Sequence, residues 1–165
     1  MQNAVVLVVQ HSPTASVGLV LNHASSLAVN DLHILESTKR AFGASALRVG
    51  GRCSHQSVLL LHGEPRVADA HTVCPGVYTG GLSTAQGLVE SGASSRQRFC
   101  LLAGYCSWQP GQLEADVAAG MWSLVSASPE LVLDLACDEQ RTKQAWHELL
   151  CRTCEPERTY VSWED

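Results

Sequence analysis

The sequence has no apolar run long enough to cross a membrane and no excess of basic residues. A membrane-spanning helix needs about 18 or more consecutive apolar residues, whereas the aliphatic run at residues 4–9 has only the length of a strand. Lys and Arg number 11 against 16 Asp and Glu, which gives a net charge of -5. Because an acidic chain repels the phosphate backbone, we expect no direct DNA binding. Because the apolar runs are short, we expect no membrane insertion.

No signal or transit segment is evident, since strand-like residues begin almost at Met1. The seven cysteines are an odd number and are scattered rather than spaced as a disulfide framework. Most lie among apolar residues, as Cys100, Cys106 and Cys137 do, where a free thiol behaves as a small hydrophobic group. These features favour a reducing compartment. We expect a cytoplasmic location, or an organelle if a targeting segment has been removed from a longer precursor.

Common catalytic and nucleotide-binding motifs are also missing. The sequence contains no Gly-x-Ser-x-Gly elbow, no G-x-G-x-x-G run and no Gly-Lys-Ser/Thr. The glycine pairs at 50–51 and 80–81 are therefore predicted to form tight turns. His147, Cys151 and Cys154 are spaced to share one helix face, but zinc needs a fourth ligand, for which only loose options exist. We predict no cofactor and leave a metal site at these three residues open.

What the sequence does contain is the hydrophobic patterning of a globular chain with both strands and helices. With 165 residues, 45% of them hydrophobic, the chain can form one domain with its own core, predicted to span residues 1–165. The pattern predicts strands at 4–9, 17–21, 47–49, 57–62, 77–79, 98–103 and 121–125. Helices are predicted at 31–41 with Asn30 as N-cap, at 83–92, after Pro110, at 128–133 and at 139–150. A polar loop with room for a short edge strand is predicted at 63–75.

The segment from Cys100 to Gly120 is the most informative part of the sequence. An apolar strand reaches Gly104, and a Pro-Gly break at 110–111 then introduces a helix that Gly120 is predicted to end. Leu113 and Val117 lie four residues apart and are predicted to face the core. A strand-to-helix turn of this kind presents backbone N–H groups at the mouth of a cleft, which makes it a candidate binding site.

The same segment resembles the AlgH/YqgE family, also called UPF0301 or DUF179. The resemblance rests on Gly-Tyr-x-x-Trp-x-x-Gly-Gln-Leu-Glu at 104–114 and on Gly-Met-Trp at 120–122. A second match is His11 followed by Gly-Leu-Val-Leu-Asn at 18–22, and shorter matches are Gly-Gly at 50–51 and Leu-His at 61–62. The chain departs from the family at Arg52, where the family has proline. The family is defined by fold and motif, so the resemblance implies no particular reaction.

The resemblance implies an α+β fold, with a bifurcated, partly barrel-like mixed β-sheet flanked by helices. Alternating strands and helices would also fit a doubly wound parallel sheet, but the hairpin at the start and the irregular spacing argue against it. Family members carry a further strand and loop before this hairpin. Met1 falls inside that region, so the first strand of the family is a candidate for a missing element.

Two functional hypotheses follow. The first is a non-enzymatic regulatory or interaction protein that binds an unidentified protein or small molecule in a cleft at the 104–114 turn. The second is an enzyme of unrecognised class that acts in the same pocket, with His62 as a candidate base. Cys106 receives no catalytic role from the resemblance, and we predict no catalytic residue. The candidate ligand- or partner-binding residues are Asn22, His62, Tyr105, Trp108, Gln112 and Glu114.

Overall fold

The computed structural model describes residues 3–138, 141, 144–147 and 149, which form a mixed β-sheet with helices around it. The described residues contain the strands β1 (Val6–Ser12), β2 (Ala15–Val20), β3 (Ala24–Ala28), β4 (Ala46–Val49), β5 (Cys53–His62), β6 (Ala70–Cys74), β7 (Val77–Gly80) and β8 (Phe99–Trp108). The helices are α1 (Glu36–Phe42), α2 (Leu82–Glu90), α3 (Gln112–Ala118) and α4 (Pro129–Cys137), with 3-10 turns at Val29–Asp31 and Arg96–Arg98. The predicted α+β class is confirmed.

β8 is the strand at which the sheet divides. Its first half lies between β4, which runs parallel to it, and β5, which runs antiparallel to it. Its second half pairs with β2, with Gly18 opposite Cys106 and Ser16 opposite Trp108. The sheet order is β1-β2-β8-β5-β7-β6, and β4 carries β3 as a side branch. The predicted bifurcated, partly barrel-like sheet is therefore confirmed.

Three glycines allow the strands to approach each other at this division. The Gly50 N–H donates to the Ala103 carbonyl at 2.8 Å, and the Gly50 carbonyl accepts from Val20 N at 2.8 Å. A Cβ atom added at Gly50 or Gly51 would overlap the backbone of residues 104–105. Gly104 has a φ of +74°, and a Cβ there would lie 2.6 Å from the carbonyl oxygen of residue 53. Close backbone approach, rather than a positive φ, is thus the reason for the pair at 50–51.

Two hydrophobic cores cover the two faces of the sheet. The first contains Phe42 and Phe99 and is packed by α1 and α2, and the second contains Leu102 and Val132 and is packed by α4. Residues 99, 101 and 103 of β8 face the first core, whereas 100 and 102 face the second. The left-handed backbone at Gly104 interrupts this alternation, and Tyr105 packs against the second core instead of the first.

The predicted strand at 121–125 is wrong. This segment is irregular, Met121 and Leu124 are 65% and 61% exposed, and Trp122 is only half buried. Apolar composition suggested a strand, but the segment pairs with no strand of the described sheet. The segment instead connects α3 to α4.

Helix boundaries differ from the prediction in ways that local hydrogen bonds explain. The predicted helix at 31–41 is divided, because the Asp31 carboxylate accepts from Ala28 N at 2.8 Å and closes a 3-10 turn. Asn30 lies inside that turn and is not an N-cap. Ser128 is the predicted N-cap of α4, since its Oγ accepts from Leu131 N at 3.3 Å. That helix continues to Cys137, past its predicted end at 133.

The predicted helix at 139–150 lies partly outside the described residues, although residues 141, 144–147 and 149 are helical. In the part of the chain that the structure describes, no helix is both long and apolar enough to span a bilayer.

Candidate functional site

The end of β8 leads into a tight turn that the motif residues themselves close. Gly111 has a φ of +73°, which lets the chain enter α3 directly after Pro110. The Gln112 Oε1 atom accepts from the Gln109 N–H at 3.0 Å. Gln112, predicted to contact a ligand, therefore satisfies a backbone donor of its own turn, while its residue remains exposed.

Trp108 forms the base of this region. It is buried, and its ring atoms would lie 3.0 Å from a Cβ atom at Gly18. Its ring centroid is 6.1 Å from that of Trp122, in an edge-to-face arrangement. The missing side chain of Gly18 thus makes room for Trp108, and the two tryptophans join the end of β8 to the segment after α3.

A chain of three polar side chains connects α3 to the β1–β2 hairpin. The Glu114 carboxylate lies 3.6 Å from His11 Nε2, and His11 Nδ1 lies 2.8 Å from Ser16 Oγ. Ser16 is buried, whereas His11 and Glu114 are each about half exposed. His11 and Ser16 were not among the candidate residues. His11 belongs to the family-like pattern at residues 11–22, and that pattern was the sequence feature that could have identified it.

Three of the candidate residues lie away from this turn. Asn22 holds the segment before β1, since its Oδ1 accepts from Val5 N at 2.8 Å and its Nδ2 donates to Asn3 O at 2.7 Å. Tyr105 lines a separate apolar depression of about 240 Å³, together with Val9, Val17, Leu19, Leu59 and Thr79. Of the six candidates, the structure places Trp108, Gln112 and Glu114 around one turn.

His62 is fully buried at the end of β5. Its ring lies 5.8 Å from Tyr78 and 5.4 Å from Phe99, and its Nδ1 accepts from the Glu64 N–H at 3.2 Å. Burial lowers the pKa of His62, and smaller effects of the Gly80 backbone and of Glu64 oppose this. Among the described residues, Nε2 has no hydrogen-bond partner. His62 is therefore held as a neutral ring inside the first core.

Glu64 is a buried carboxylate that sequence reasoning missed. Arg66 contacts both of its oxygens at 2.7 and 2.8 Å, Ser94 Oγ lies at 3.0 Å, and Arg98 lies at 3.2 Å. The hydrogen bonds from Arg66 contribute most to lowering its pKa from 4.5 to about 2. The carboxylate joins the loop after β5 to the segment between α2 and β8, so its role is structural.

The C-terminal end of α3 holds in place the exposed apolar segment that follows the helix. Gly120 has a φ of +73°, and the Met121 N–H donates to the Asp116 carbonyl at 2.9 Å. This Schellman-type end turns Met121 back onto the last turn of α3. No residue of α3 is fully buried, and Leu113 and Val117, predicted to face the core, are half buried.

Of the three residues at which a metal site was left open, only His147 lies within the described residues. Within residues 3–138, 141, 144–147 and 149, no group of three His, Cys, Asp or Glu side chains is placed to hold a metal ion. His147 lies on an exposed helical position, and Cys151 and Cys154 lie outside the described residues.

Comparison with known proteins gives a consistent set of matches. A family model described as DUF179, AlgH-like, matches residues 1–156. A UPF0301 protein of Myxococcus xanthus is 34% identical over 132 residues, covering 79% of this chain and 72% of the relative. A UPF0301 protein of Chlamydia trachomatis is 33% identical over 133 residues, covering 78% of this chain and 68% of the relative.

Two solved structures share the fold. The solution structure of the AlgH protein from Pseudomonas aeruginosa superposes with a TM-score of 0.67 at 20% identity, covering 94% of this chain and 86% of that one. A crystal structure of a protein from Corynebacterium diphtheriae gives a TM-score of 0.62 at 26% identity, covering 77% and 68%.

Proposed function

This chain belongs to the AlgH-like family, and we propose that it is a non-enzymatic regulatory or interaction protein that binds a partner beside the end of β8. The proposed binding surface consists of Glu114, Asp116, Met121 and Leu124, and is called the α3 surface below. It replaces the cleft of the sequence-based hypothesis with a surface, and it keeps Glu114 as its polar group.

The exposure of Met121 and Leu124 is the observation that carries this proposal. Large apolar side chains are 65% and 61% exposed in one short segment, which is unfavourable in water unless a partner covers them. The segment is also held in place, because Trp122 packs on Trp108 and the Met121 N–H is bound to α3. A positioned apolar surface is more consistent with recognition than with a loose connection.

Charge indicates the chemistry of the partner. Residues 99–140 contain no Lys or Arg, and they contain six acidic residues: Glu114, Asp116, Glu130, Asp134, Asp138 and Glu139. Glu114 is exposed on α3 and Asp116 is half buried there, next to the apolar segment. Complementary charge steers association and selects partners. The α3 surface therefore fits a protein segment that offers an apolar side chain flanked by Lys or Arg.

The alternative of an enzyme has less support. His62 is buried at the far end of β5, with its ring enclosed by Tyr78 and Phe99. His11 is better exposed, but Ser16 and Glu114 lie at its two ring nitrogens. A general base needs a nitrogen that can reach a substrate proton. His62 is enclosed, and the Ser16 hydroxyl beside His11 Nδ1 is buried, so a substrate reaches neither group.

Photo-crosslinking tests the proposal in the native cell. A photoactivatable residue at position 124 is compared with the same residue at position 35. Leu35 is the matched control, because it is 75% exposed at the start of α1. We expect position 124 to give a discrete adduct that position 35 does not give. The same adducts at both positions, or none at position 124, would contradict the proposal.

The purified crosslinked partner then tests the chemistry. We expect Leu124→Ser and Glu114→Lys each to weaken binding by about tenfold or more, as substitutions at an interface centre do. Leu35→Ser should leave the affinity unchanged. Affinity should also fall with added salt, since exposed charges are screened. Equal affinities for all four proteins, including the wild type, would show that the α3 surface is not the binding site.

A further inference from the structure

The apolar depression that Tyr105 lines lies apart from the α3 surface. Its volume is about 240 Å³, and its lining consists of six residues of the sheet: Val9, Val17, Leu19, Leu59, Thr79 and Tyr105. These residues come from five different strands, β1, β2, β5, β7 and β8. Leu19 is buried, and the other five side chains are half buried. The sheet itself therefore forms the wall of a hollow that is open to solvent.

The depression continues the second core beyond the part that α4 covers. Val9, Leu59 and Tyr105 pack at the border of that core, and Leu19 belongs to it. The helix α4 packs against the same core through residues such as Val132. Within the described residues, the lining of the depression contains strand residues alone. Apolar side chains of one sheet face are thus left uncovered, which is unfavourable in water unless a ligand fills the space.

The shape of the depression limits what can fill it. Its lining includes β1 and β7, which three strands separate in the sheet order. In a flat sheet these two strands would lie about 19 Å apart, so a hollow of about 240 Å³ that touches both requires a strongly curved sheet. A sphere of that volume is about 8 Å across, which is narrower than the roughly 10–12 Å of a helix with its side chains. The space therefore fits a small molecule better than a helix, as the mouths of β-barrels commonly do.

The chemistry of the lining indicates the class of molecule. Four of the six residues are aliphatic, and none of the six is charged. A charged ligand group would lose its water here without gaining a counter-charge, which is costly. Thr79 and Tyr105 each contribute a hydroxyl, and among the described residues neither hydroxyl has a hydrogen-bond partner. A hydroxyl both donates and accepts, so these two groups can pair with a neutral polar atom of a ligand.

We propose that the depression binds a small uncharged molecule that has an apolar body and one hydroxyl or carbonyl group. The apolar body replaces water against the aliphatic side chains, and the hydroxyls of Thr79 and Tyr105 bind the polar group. Medium-chain alcohols and ketones belong to this class. The depression shares no residue with the α3 surface, so this proposal does not depend on the protein partner proposed above.

Methyl NMR of the full chain tests the proposal with three probes that share one alkyl chain: 1-octanol, octanoate and octylamine. At neutral pH the alcohol is uncharged, whereas the other two probes carry a negative and a positive charge. We expect 1-octanol to shift the methyl signals of Val9, Val17, Leu19 and Leu59 in a saturable way. Octanoate and octylamine should bind at least about tenfold more weakly, because the lining offers their charges no partner. Equal affinity for all three probes would overturn the proposed selection of uncharged ligands.

The removal of one oxygen atom tests the role of the Tyr105 hydroxyl. Tyr105→Phe keeps the ring and should weaken 1-octanol binding roughly fivefold, the effect of one neutral hydrogen bond. Tyr78→Phe is the matched control, because Tyr78 is also a half-buried strand residue, but its ring stacks on His62 at 5.8 Å and does not line the depression. That variant should bind 1-octanol as the wild type does. Equal weakening in both variants, or none in Tyr105→Phe, would overturn the role of this hydroxyl.

Filling the space tests the location of the site. Val9→Phe and Leu59→Trp lie on different strands, and each should abolish the 1-octanol shifts while the protein still melts cooperatively. Two variants are used so that a loss of folding in one leaves the other. A folded filling variant with wild-type affinity, or no saturable binding to the wild type, would overturn the proposal. Nuclear Overhauser contacts from another protein segment to the lining methyls, seen without a probe, would assign the depression to that segment and overturn the proposal as well.

Discussion

Replacing Glu64 by glutamine should destabilise the protein mainly by removing one buried charge. The Glu64 side chain is 2% exposed and receives hydrogen bonds from Arg66, Ser94 and Arg98. Glutamine preserves the size of the side chain, but it offers one acceptor oxygen where the carboxylate offers two. Arg66 would lose one of its two contacts, and the charge that attracts both arginines would disappear.

The size of the effect follows from the pKa. One pKa unit corresponds to about 1.4 kcal/mol, so the change from 4.5 to about 2 corresponds to roughly 3 kcal/mol. The side chains of Arg66 and Arg98 are about half exposed, and solvent screens their charges. We therefore expect Glu64→Gln to lower the free energy of unfolding by about 2 kcal/mol at pH 7.

The pH dependence separates this charge effect from a general packing defect. Because the folded pKa of Glu64 is depressed, its contribution is fully present above the unfolded value of 4.5. The contribution is lost as the pH falls towards about 2. The difference between wild type and Glu64→Gln should therefore fall below half of its pH 7 value by about pH 3.

Urea denaturation of the two proteins at pH 7 and pH 3 measures this difference. Glu36→Gln is the control, because Glu36 is 79% exposed and lies 3.4 Å from Lys39 in a surface pair. We expect that variant to change stability by about 0.5 kcal/mol or less. A Glu64→Gln effect no larger than the control, or one that is the same at both pH values, would refute the account of Glu64 as a buried charged link.

Three further predictions concern the sheet and its cores. Burial lowers the pKa of His62, so the unfolded chain binds a proton at a higher pH than the folded protein does. Stability should therefore fall as the pH drops through 6.5. Urea denaturation measured from pH 8 to about 5.5 should show this fall, and the fall should be smaller in His62→Phe. Gly104→Ala should lower the free energy of unfolding by at least about twice the roughly 1 kcal/mol that is expected for Gly111→Ala. Both glycines have φ values near +73°, but a Cβ clashes only at Gly104, and thermal melts compare the two. In urea denaturation, Trp108→Ala should lower the free energy of unfolding by about 3–5 kcal/mol, and Trp122→Ala should lower it clearly less, because of the two only Trp108 is buried. The opposite order would be inconsistent with the packing described.

Patterns that act within a few residues were readable from the sequence. The valine-rich strand at 4–9, the returning strand at 17–21 and the Ser128 N-cap all depend on neighbouring residues, and the structure contains each of them with shifted ends. The division of the sheet at β8 entered through the family resemblance. No local pattern states that one strand pairs with three others.

Features that depend on contacts between distant residues were missed, because no local pattern encodes such contacts. Glu64 lies in a polar loop by sequence, and its burial depends on Ser94 and Arg98, which are 30 and 34 residues away. The pairing of Glu114 with His11 joins the motif to the first hairpin. At 121–125, composition favoured a strand, but the segment pairs with none of the described strands. Local propensity therefore predicted helices and strands, whereas contacts between distant residues need the folded structure.

The central place of β8 also determines the order in which the chain can fold. Its partners β2, β4 and β5 all precede it in the sequence, so the sheet cannot close until Trp108 has left the ribosome. Before that moment the pairs β1–β2, β3–β4, β5–β7 and β6–β7 can form without β8. Contacts of long sequence separation make folding slow and leave strand edges uncovered in the meantime. The newly made first hundred residues are therefore the stage at which this protein most needs protection from aggregation.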